Sequence, residues 1–248
     1  MIPRVAGLTD VGAVRAANQD ALDWRVSDDN RQVLLVIADG MGGYQGGEIA
    51  SRIAVDSVME TVGAYLATEN PEQPDDPEEA LQAAIDLANA RIQERRATDP
   101  DLAKMGTTLV IAWVIDGNAH IAHLGDSRCY LVHGGELHCQ TRDDTVVQNM
   151  LEDGSIQPDD VPHVPFRNVL TRALGASSVL ASFRRISLEP GDGLLLCSDG
   201  LTGSLPEEDW LPLIAGQGSP EDRVRALVKA SLDNQAADNV SVVLLILE

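Results

Sequence analysis

Aromatic residues make up only 3% of this chain of 248 residues, so Leu, Val, Ile and Ala must fill whatever core it builds. Cysteine is sparser still. Cys129, Cys139 and Cys197 form no CxxC pair, which argues against both a disulfide framework and a thiolate zinc site and suits a reducing cytosol. The largest shortfall is in positive charge: 18 Lys and Arg face 39 Asp and Glu, a formal net charge of −21. Such a chain repels nucleic acid and anionic membrane, because gripping a phosphate backbone takes clustered cations. It would also repel a phosphorylated substrate unless cations stood at the site. No hydrophobic run approaches the ~18 apolar residues of a membrane span, and no cationic N-terminus precedes an apolar stretch. The expectation is a soluble, cytoplasmic protein with neither nucleic acid nor membrane as partner.

What is present reads as an ordinary globular domain, 44% hydrophobic and 23% charged, with length for one domain over residues 1–248. The segment 69–79, ENPEQPDDPEE, reads as an exposed acidic loop ending in a helix start. There Asp76 can cap, Pro77 suits the first helical position, and Glu78 and Glu79 favour the positive end of the dipole. Leu81, Ala84, Ile85, Ala88 and Ile92 then recur at helical spacing, to about residue 96. An earlier helix is expected over 47–65, and later ones over 206–215 and 220–234, the last capped by Ser219. Strands are expected at 33–38, 107–115, 119–124, 128–132, 136–140, 183–188, 194–197 and 240–247. Asp116-Gly117-Asn118 and His133-Gly134-Gly135 carry hairpin turn signals. Hairpin-linked strands with segregated helices argue for an antiparallel α+β layered fold over a doubly wound parallel sheet. Residues 143–156 read as a short helix stopped by Gly154, followed by an aperiodic stretch through Pro158, Pro162 and Pro165.

The chemistry lies in a recurrence of apolar strand followed by aspartate and glycine. The run 33–38 leads into Asp39-Gly40-Met41-Gly42-Gly43, the run 120–124 into Gly125-Asp126-Ser127-Arg128, and the run 194–197 into Ser198-Asp199-Gly200. Asp238-Asn239 directly precedes the last strand. A carboxylate at a strand end is held rigidly yet reaches solvent, and an adjacent glycine lets the backbone approach a ligand. Four such aspartates brought together would repel one another strongly without cations. All-oxygen ligation selects hard ions, Mg²⁺ or Mn²⁺. Asp116-Gly117, by contrast, reads as a turn only. Arg15 and Asp20 offer a guanidinium and a carboxylate close in sequence, and an arginine can grip an oxyanion through two parallel hydrogen bonds.

Taken together, RxxNQD (15–20), DGMGG (39–43), MGTTL (105–109), GDSR (125–128), CSDGL (197–201) and DNVS (238–241) resemble the metal-dependent protein phosphatases called PP2C or PPM, in that family's order over nearly the whole chain. DDTVVQNML and LTRALG (170–175) resemble its bacterial stand-alone branch. The resemblance implies a four-layer αββα sandwich, two central antiparallel sheets flanked by helices, with a mobile flap at about 143–172. It also implies roles. Asp39 would bridge two metals, with the Gly40 carbonyl on the second; Asp199 and Asp238 would complete the first; and Asp126 with Asp199 would hold a weaker third. Asp20 would hold metal-bound water, Arg15 would clamp the phosphate, and Asn239 would support Asp238. Asn168 falls in the flap, where some bacterial relatives place a backbone ligand for the third ion. Two departures stand out: Met41 occupies a place where many eukaryotic relatives have His, and Gln19 replaces a carboxylate common at its position.

The implied activity is hydrolysis of phosphoserine and phosphothreonine by in-line attack of a water bridging two divalent ions, opposing a bacterial Ser/Thr kinase. The rival reading is a pseudophosphatase or phosphoprotein-binding regulator. A zinc hydrolase is disfavoured, because His120 and His123 stand three apart on a strand, on opposite faces, and no HExxH spacing occurs. A nucleotide enzyme is disfavoured because the Gly cluster lacks a GK[ST] ending.

Overall fold

The computed structural model describes residues 1–42, 46–67, 74–216 and 218–248. Gly43 of the DGMGG motif and residues 69–73 of the acidic loop lie outside the described residues. One antiparallel sheet is built from β1 (Pro3–Asp10), β7 (Arg128–His133), β8 (Glu136–Cys139), β10 (Gly193–Cys197) and β11 (Val240–Leu247), in the order β1-β11-β10-β7-β8. The other is built from β2 (Asp20–Val26), β3 (Gln32–Met41), β5 (Leu109–Ile115), β6 (Asn118–Leu124) and β9 (Ser182–Ser187), in the order β2-β3-β5-β6-β9, with the short β4 (Gly106–Thr107) paired to the end of β3.

The central strands read as unbroken apolar runs because both of their faces are covered. The period of two then divides each run between two cores. From β3, Leu34, Val36 and Ala38 pack with Trp113 against Val58 of α1 (Gly47–Tyr65) and Ile85 and Ile92 of α2 (Pro77–Thr98). Their neighbours Val33, Leu35 and Ile37 meet Leu194, Leu196, Val243 and Leu245 of the facing sheet. On that sheet's outer side, Leu195, Val242 and Leu244 pack on Trp210 of α5 (Trp210–Ile214) and on Val224 and Leu227 of α6 (Pro220–Asp233). The result is the expected sequence of helix, sheet, sheet, helix. Among the described residues, no helix is long and apolar enough to cross a membrane.

Local signals act as read. The Asp76 side chain accepts from the Glu78 and Glu79 amides, and Ser219 forms a capping box with Asp222. Both hairpin turns place their central residues at left-handed φ, 49° and 78° at Asp116 and Gly117, and 59° and 82° at Gly134 and Gly135. Asp116 is indeed a turn residue, paired in two places with Arg31. His120 and His123 oppose Arg185 and Ser182 on β9, three positions apart and so on opposite faces.

Several expectations change. Strands β1 and β2 did not show in the sequence pattern. The helix expected over 206–215 is a 3-10 turn followed by the five-residue α5, with Pro212 inside it removing a backbone donor. The helix expected over 143–156 contracts to α3 (Val146–Glu152), because the Thr145 side chain caps it and Asp143 and Asp144 are bound elsewhere. The strand expected over 107–115 breaks at Thr108, whose hydroxyl accepts from the Asp39 amide at 3.0 Å.

Leu35, fully buried between the sheets, makes the layered core testable. Leu35→Ala is expected to lower unfolding free energy by about 2–5 kcal/mol in urea titration. Leu180→Ala, at a side chain whose residue is 71% exposed, should stay within about 0.5 kcal/mol. Equal effects at the two positions would contradict this packing.

Candidate active site

The antiparallel wiring brings the acidic turns to one end of both sheets. β3 carries Asp39 near its end there, β6 ends there before Asp126, β10 ends there before Asp199, and β11 starts there after Asp238. A cavity of about 390 Å³ is lined by Arg15, Gln19, Asp39, Gly40, Met41, Asp126, Asn168, Asp199, Asp238 and Asn239, among others. Asp20 is the one residue of the sequence-read set outside this lining. It opens β2 opposite Asp39 and lies buried behind the cavity wall. A second cavity of about 470 Å³ adjoins, sharing Asp126, Asn168, Asp199 and Asp238 and walled by Val147, Leu151, Val161 and Arg167.

Glycine permits the close approach. A Cβ on Gly40 would stand 2.1 Å from the Gly47 carbonyl oxygen, so β3 and the start of α1 meet only because that position is bare. A Cβ on Gly200 would stand 1.9 Å from the Asn239 carbonyl oxygen. That contact presses the short α4 (Asp199–Ser204) onto the Asp238-Asn239 turn and so brings Asp199 beside Asp238.

Asn239 fixes the N-terminal loop to this turn. Its amide donates to the Val11 and Ala17 carbonyls at 2.9 and 3.0 Å, its Oδ1 accepts from the Gln19 amide at 2.8 Å, and its own backbone N–H donates to Asp238 Oδ1. The loop so held carries Arg15, whose Nη2 donates to Asp238 Oδ2 at 2.6 Å. Gln19 is held in turn by Glu48, Nε2 to Oε2 at 3.1 Å.

The electrostatics are those of carboxylates crowded out of water. Burial, against hydrogen bonds from Ser241 and Ser198, pushes Asp20 up to about 6. Burial and the neighbouring Asp199 charge push Asp126 up to about 7. Asp39 is driven well above the ordinary range by burial and by the charges of Asp20, Asp199, Asp126 and Asp238. Asp199 is raised by burial and by Asp238, an effect its hydrogen bond with Asp39 only partly offsets. Asp20 Oδ1 and Asp199 Oδ1 are buried without a hydrogen-bond partner, a costly state for an ionised group.

Unpartnered hard oxygens from several chain segments, each raised by its neighbours, are a donor set that fits divalent Mg²⁺ or Mn²⁺. Among the described residues no three Asp, Glu, His or Cys side chains form a closed ligand set. The shared cavity and the mutual perturbation are the weightier observations, because such ions take only one or two carboxylates each and keep several waters.

A family model for protein phosphatase 2C matches residues 13–235. The chain belongs to the protein phosphatase 2C family. It is 33% identical over 239 residues to the protein phosphatase PhpP of Streptococcus pneumoniae, covering 96% of this chain and 94% of that one. It is 34% identical over 243 residues to the serine/threonine protein phosphatase PstP of Mycobacterium tuberculosis, covering 98% of this chain but only 45% of that protein's length. The solved catalytic domain of PstP in complex with two manganese ions superposes with a TM-score of 0.86 at 32% identity, over 100% of this chain and 99% of that one.

Several residues of this PP2C site escaped the sequence reading. Ser198 Oγ and Ser241 Oγ donate to Asp20 Oδ2 at 2.8 and 2.6 Å, and Thr107 and Thr108 brace the backbone of Asp39. All four lie inside quoted motifs, where only the acids, the arginine and the glycines were given work. Glu48 had no signal beyond its place in the first turn of α1.

The raised carboxyls make stability depend on pH with a definite sign. Against an ordinary value of 3.8, Asp20 at about 6 and Asp126 at about 7 bind protons more tightly in the folded state. Their contribution is therefore full below 3.8 and lost as pH rises through about 6 and 7. In EDTA, the melting temperature should fall from about pH 5 to about pH 8, and Asp126→Asn should reduce that fall. A slope that Asp126→Asn leaves unchanged would contradict the crowding of these groups.

Proposed function

We propose that this PP2C chain hydrolyses phosphoserine and phosphothreonine in proteins with the help of divalent cations, Mn²⁺ or Mg²⁺. The observation that carries the reading is the single cavity shared by Asp39, Asp126, Asp199, Asp238 and Arg15. Asp39, the Gly40 carbonyl, Asp199 and Asp238 would hold two core ions, and Asp126 with Asp199 a weaker third. When bound, the cations offset the carboxylate charge and supply an activated water for in-line attack on phosphorus.

The chain's own groups do the rest. Arg15 has one terminal nitrogen on Asp238, and the remainder of its fork can grip equatorial phosphate oxygens. The same bond ties the clamp to a metal-holding carboxylate, so phosphate and cation would be placed by one arrangement. Asp20 has Oδ2 fixed by two serines, which leaves the unpartnered Oδ1 as the acceptor that would hold a water in the site. Met41 in the cavity wall has no proton to give, so no side chain directly after Gly40 can act as the acid.

Residues 1–248 are read as one catalytic domain. The stretch 143–172, whose Val147, Leu151, Val161 and Arg167 wall the adjoining cavity, is read as a flap over bound protein. Partners would be phosphorylated proteins, including a Ser/Thr kinase and its substrates. The acidic surface disfavours nucleic acid and membrane, and the three free cysteines fit a cytoplasmic location. A non-catalytic phosphoprotein binder would need Arg15 but has no use for five buried or half-buried aspartates that repel one another.

Phosphate release from a phosphothreonine peptide should require Mn²⁺ or Mg²⁺ and stop in EDTA. Asp39→Ala and Asp199→Ala should each lower kcat by at least about a hundredfold, whereas Arg15→Ala should mainly raise KM. Full activity in chelator, or in either aspartate variant, would overturn the assignment; unchanged kinetics in Arg15→Ala would remove the clamp.

A further inference from the structure

Asp144 is completely buried and absent from the lining of both cavities. Its carboxylate accepts from two directions. On one side the Gly125 amide donates to Oδ2 at 3.1 Å. On the other, Arg172 Nη2 donates to Oδ1. The backbone repeats the pattern: the Asp144 N–H donates to the Gly125 carbonyl at 2.9 Å, and the Thr171 N–H donates to the Asp144 carbonyl at 2.7 Å.

These bonds join two things that the chain keeps apart. Residues 144–146 and 169–172 are the two roots of the flap stretch, and they pair as a short neck through the Thr145–Leu170 bridge and the Val146 N–H to Val169 carbonyl bond. Arg172 also anchors that neck to Ser182 Oγ and to the Leu180 carbonyl. Gly125, at φ 99°, belongs to the turn that presents Asp126 to the cavity. That turn has little room to yield: a Cβ on Gly125 would stand 2.7 Å from Thr108 Cγ2, and Ser127 Oγ lies 2.8 Å from Thr108 Oγ1. The neck, in turn, delivers Asn168 and Leu170 to the same cavity.

We infer that Asp144 is a positioning residue that couples the 143–172 stretch to the Asp126 turn, so that neither moves without the other. An ordinary buried ion pair would stabilise the whole fold or nothing in particular. A coupling node has a narrower signature: loosening the Arg172 side must be felt at Gly125, across the carboxylate.

Hydrogen exchange on the metal-free protein reads this directly, since the Gly125 amide itself donates to Asp144. Arg172→Gln removes the neck-side charge at a side chain that is 40% exposed, and Asp144→Asn keeps the buried volume while giving up one of the two acceptors. Each variant is expected to speed exchange about tenfold or more both at 125–127 and across 146–170, with β3 and β11 still protected. Faster exchange in 146–170 with 125–127 unchanged would overturn the coupling, as would uniform loss of protection over the whole chain. If Asp144→Asn fails to fold, Arg172→Gln alone decides between these outcomes.

A kinetic arm rests on the phosphatase reading. Arg172→Gln and Asp144→Asn should each raise KM for a phosphothreonine peptide and also lower kcat through the Asp126 turn. A raised KM with kcat unchanged in both variants would overturn the action on Asp126. Absence of turnover in the unaltered protein would instead sink the phosphatase reading and leave the exchange result standing.

Discussion

Repulsion among buried carboxylates is the constraint around which this molecule is organised. Asp39, Asp126 and Asp199 all lie above their ordinary range because burial strips their water and each stands in the field of others. Folding gains nothing from such an arrangement by itself, so the rest of the chain must enforce it. The enforcement is visible as strand ends, which cannot drift, and as bare glycines that let backbones meet. Gly40 against Gly47 and Gly200 against Asn239 are contacts that no side chain could share. A loop-borne cluster of the same acids would relax apart, whereas one mounted on two packed sheets cannot.

The acids come from both sheets, and so the spacing of the sheets sets the spacing of the site. Asp39 lies near the end of a strand of one sheet, while Asp199 and Asp238 flank strands of the other. The Gly125–Ser127 turn carrying Asp126 is the point where the chain passes from the first sheet to the second, from β6 to β7. Asp20 stitches the two together: it starts β2 in one sheet and takes hydrogen bonds from Ser198, just after β10, and from Ser241, within β11, in the other. Facing sheets pack about 10 Å apart, a gap that carboxylates reaching in from both sides can span. The apolar layer of Leu35, Ile37, Leu196 and Val243 therefore bears on the chemistry, although none of these residues touches it.

Much of this was legible in the sequence, for a definite reason. Asp39, Asp126 and Asp199 lie beside glycine at or near strand ends, and Asp238 directly precedes the last strand; these are local marks, so all four could be read without a structure. Helices α1, α2 and α6 were legible because propensity, caps and periodicity agree there. Strands β1 and β2 were not: β1 alternates weakly and β2 carries Asp23 and Arg25 at half-buried positions, being the edges of their sheets. The hydroxyls of Ser198, Ser241, Thr107 and Thr108 were overlooked because a serine bound to a carboxylate far along the chain looks like any other serine. Their partners exist only once distant segments of the chain are brought together.

The same distinction explains the place of Arg15 in so acidic a chain. A lone guanidinium among several carboxylates would be expected to collapse onto the nearest one, and here it does reach Asp238. What keeps it from being spent there is the single point of contact. One terminal nitrogen is engaged while the loop bearing it is pinned at Val11, Ala17 and Gln19 by Asn239. A planar fork held at one prong by a fixed acid points its other donors in a fixed direction. In a chain with net charge −21, the proposed phosphate site is thus a cavity wall in which Arg15 stands among the aspartates, its free donors held in one direction by the loop that bears it.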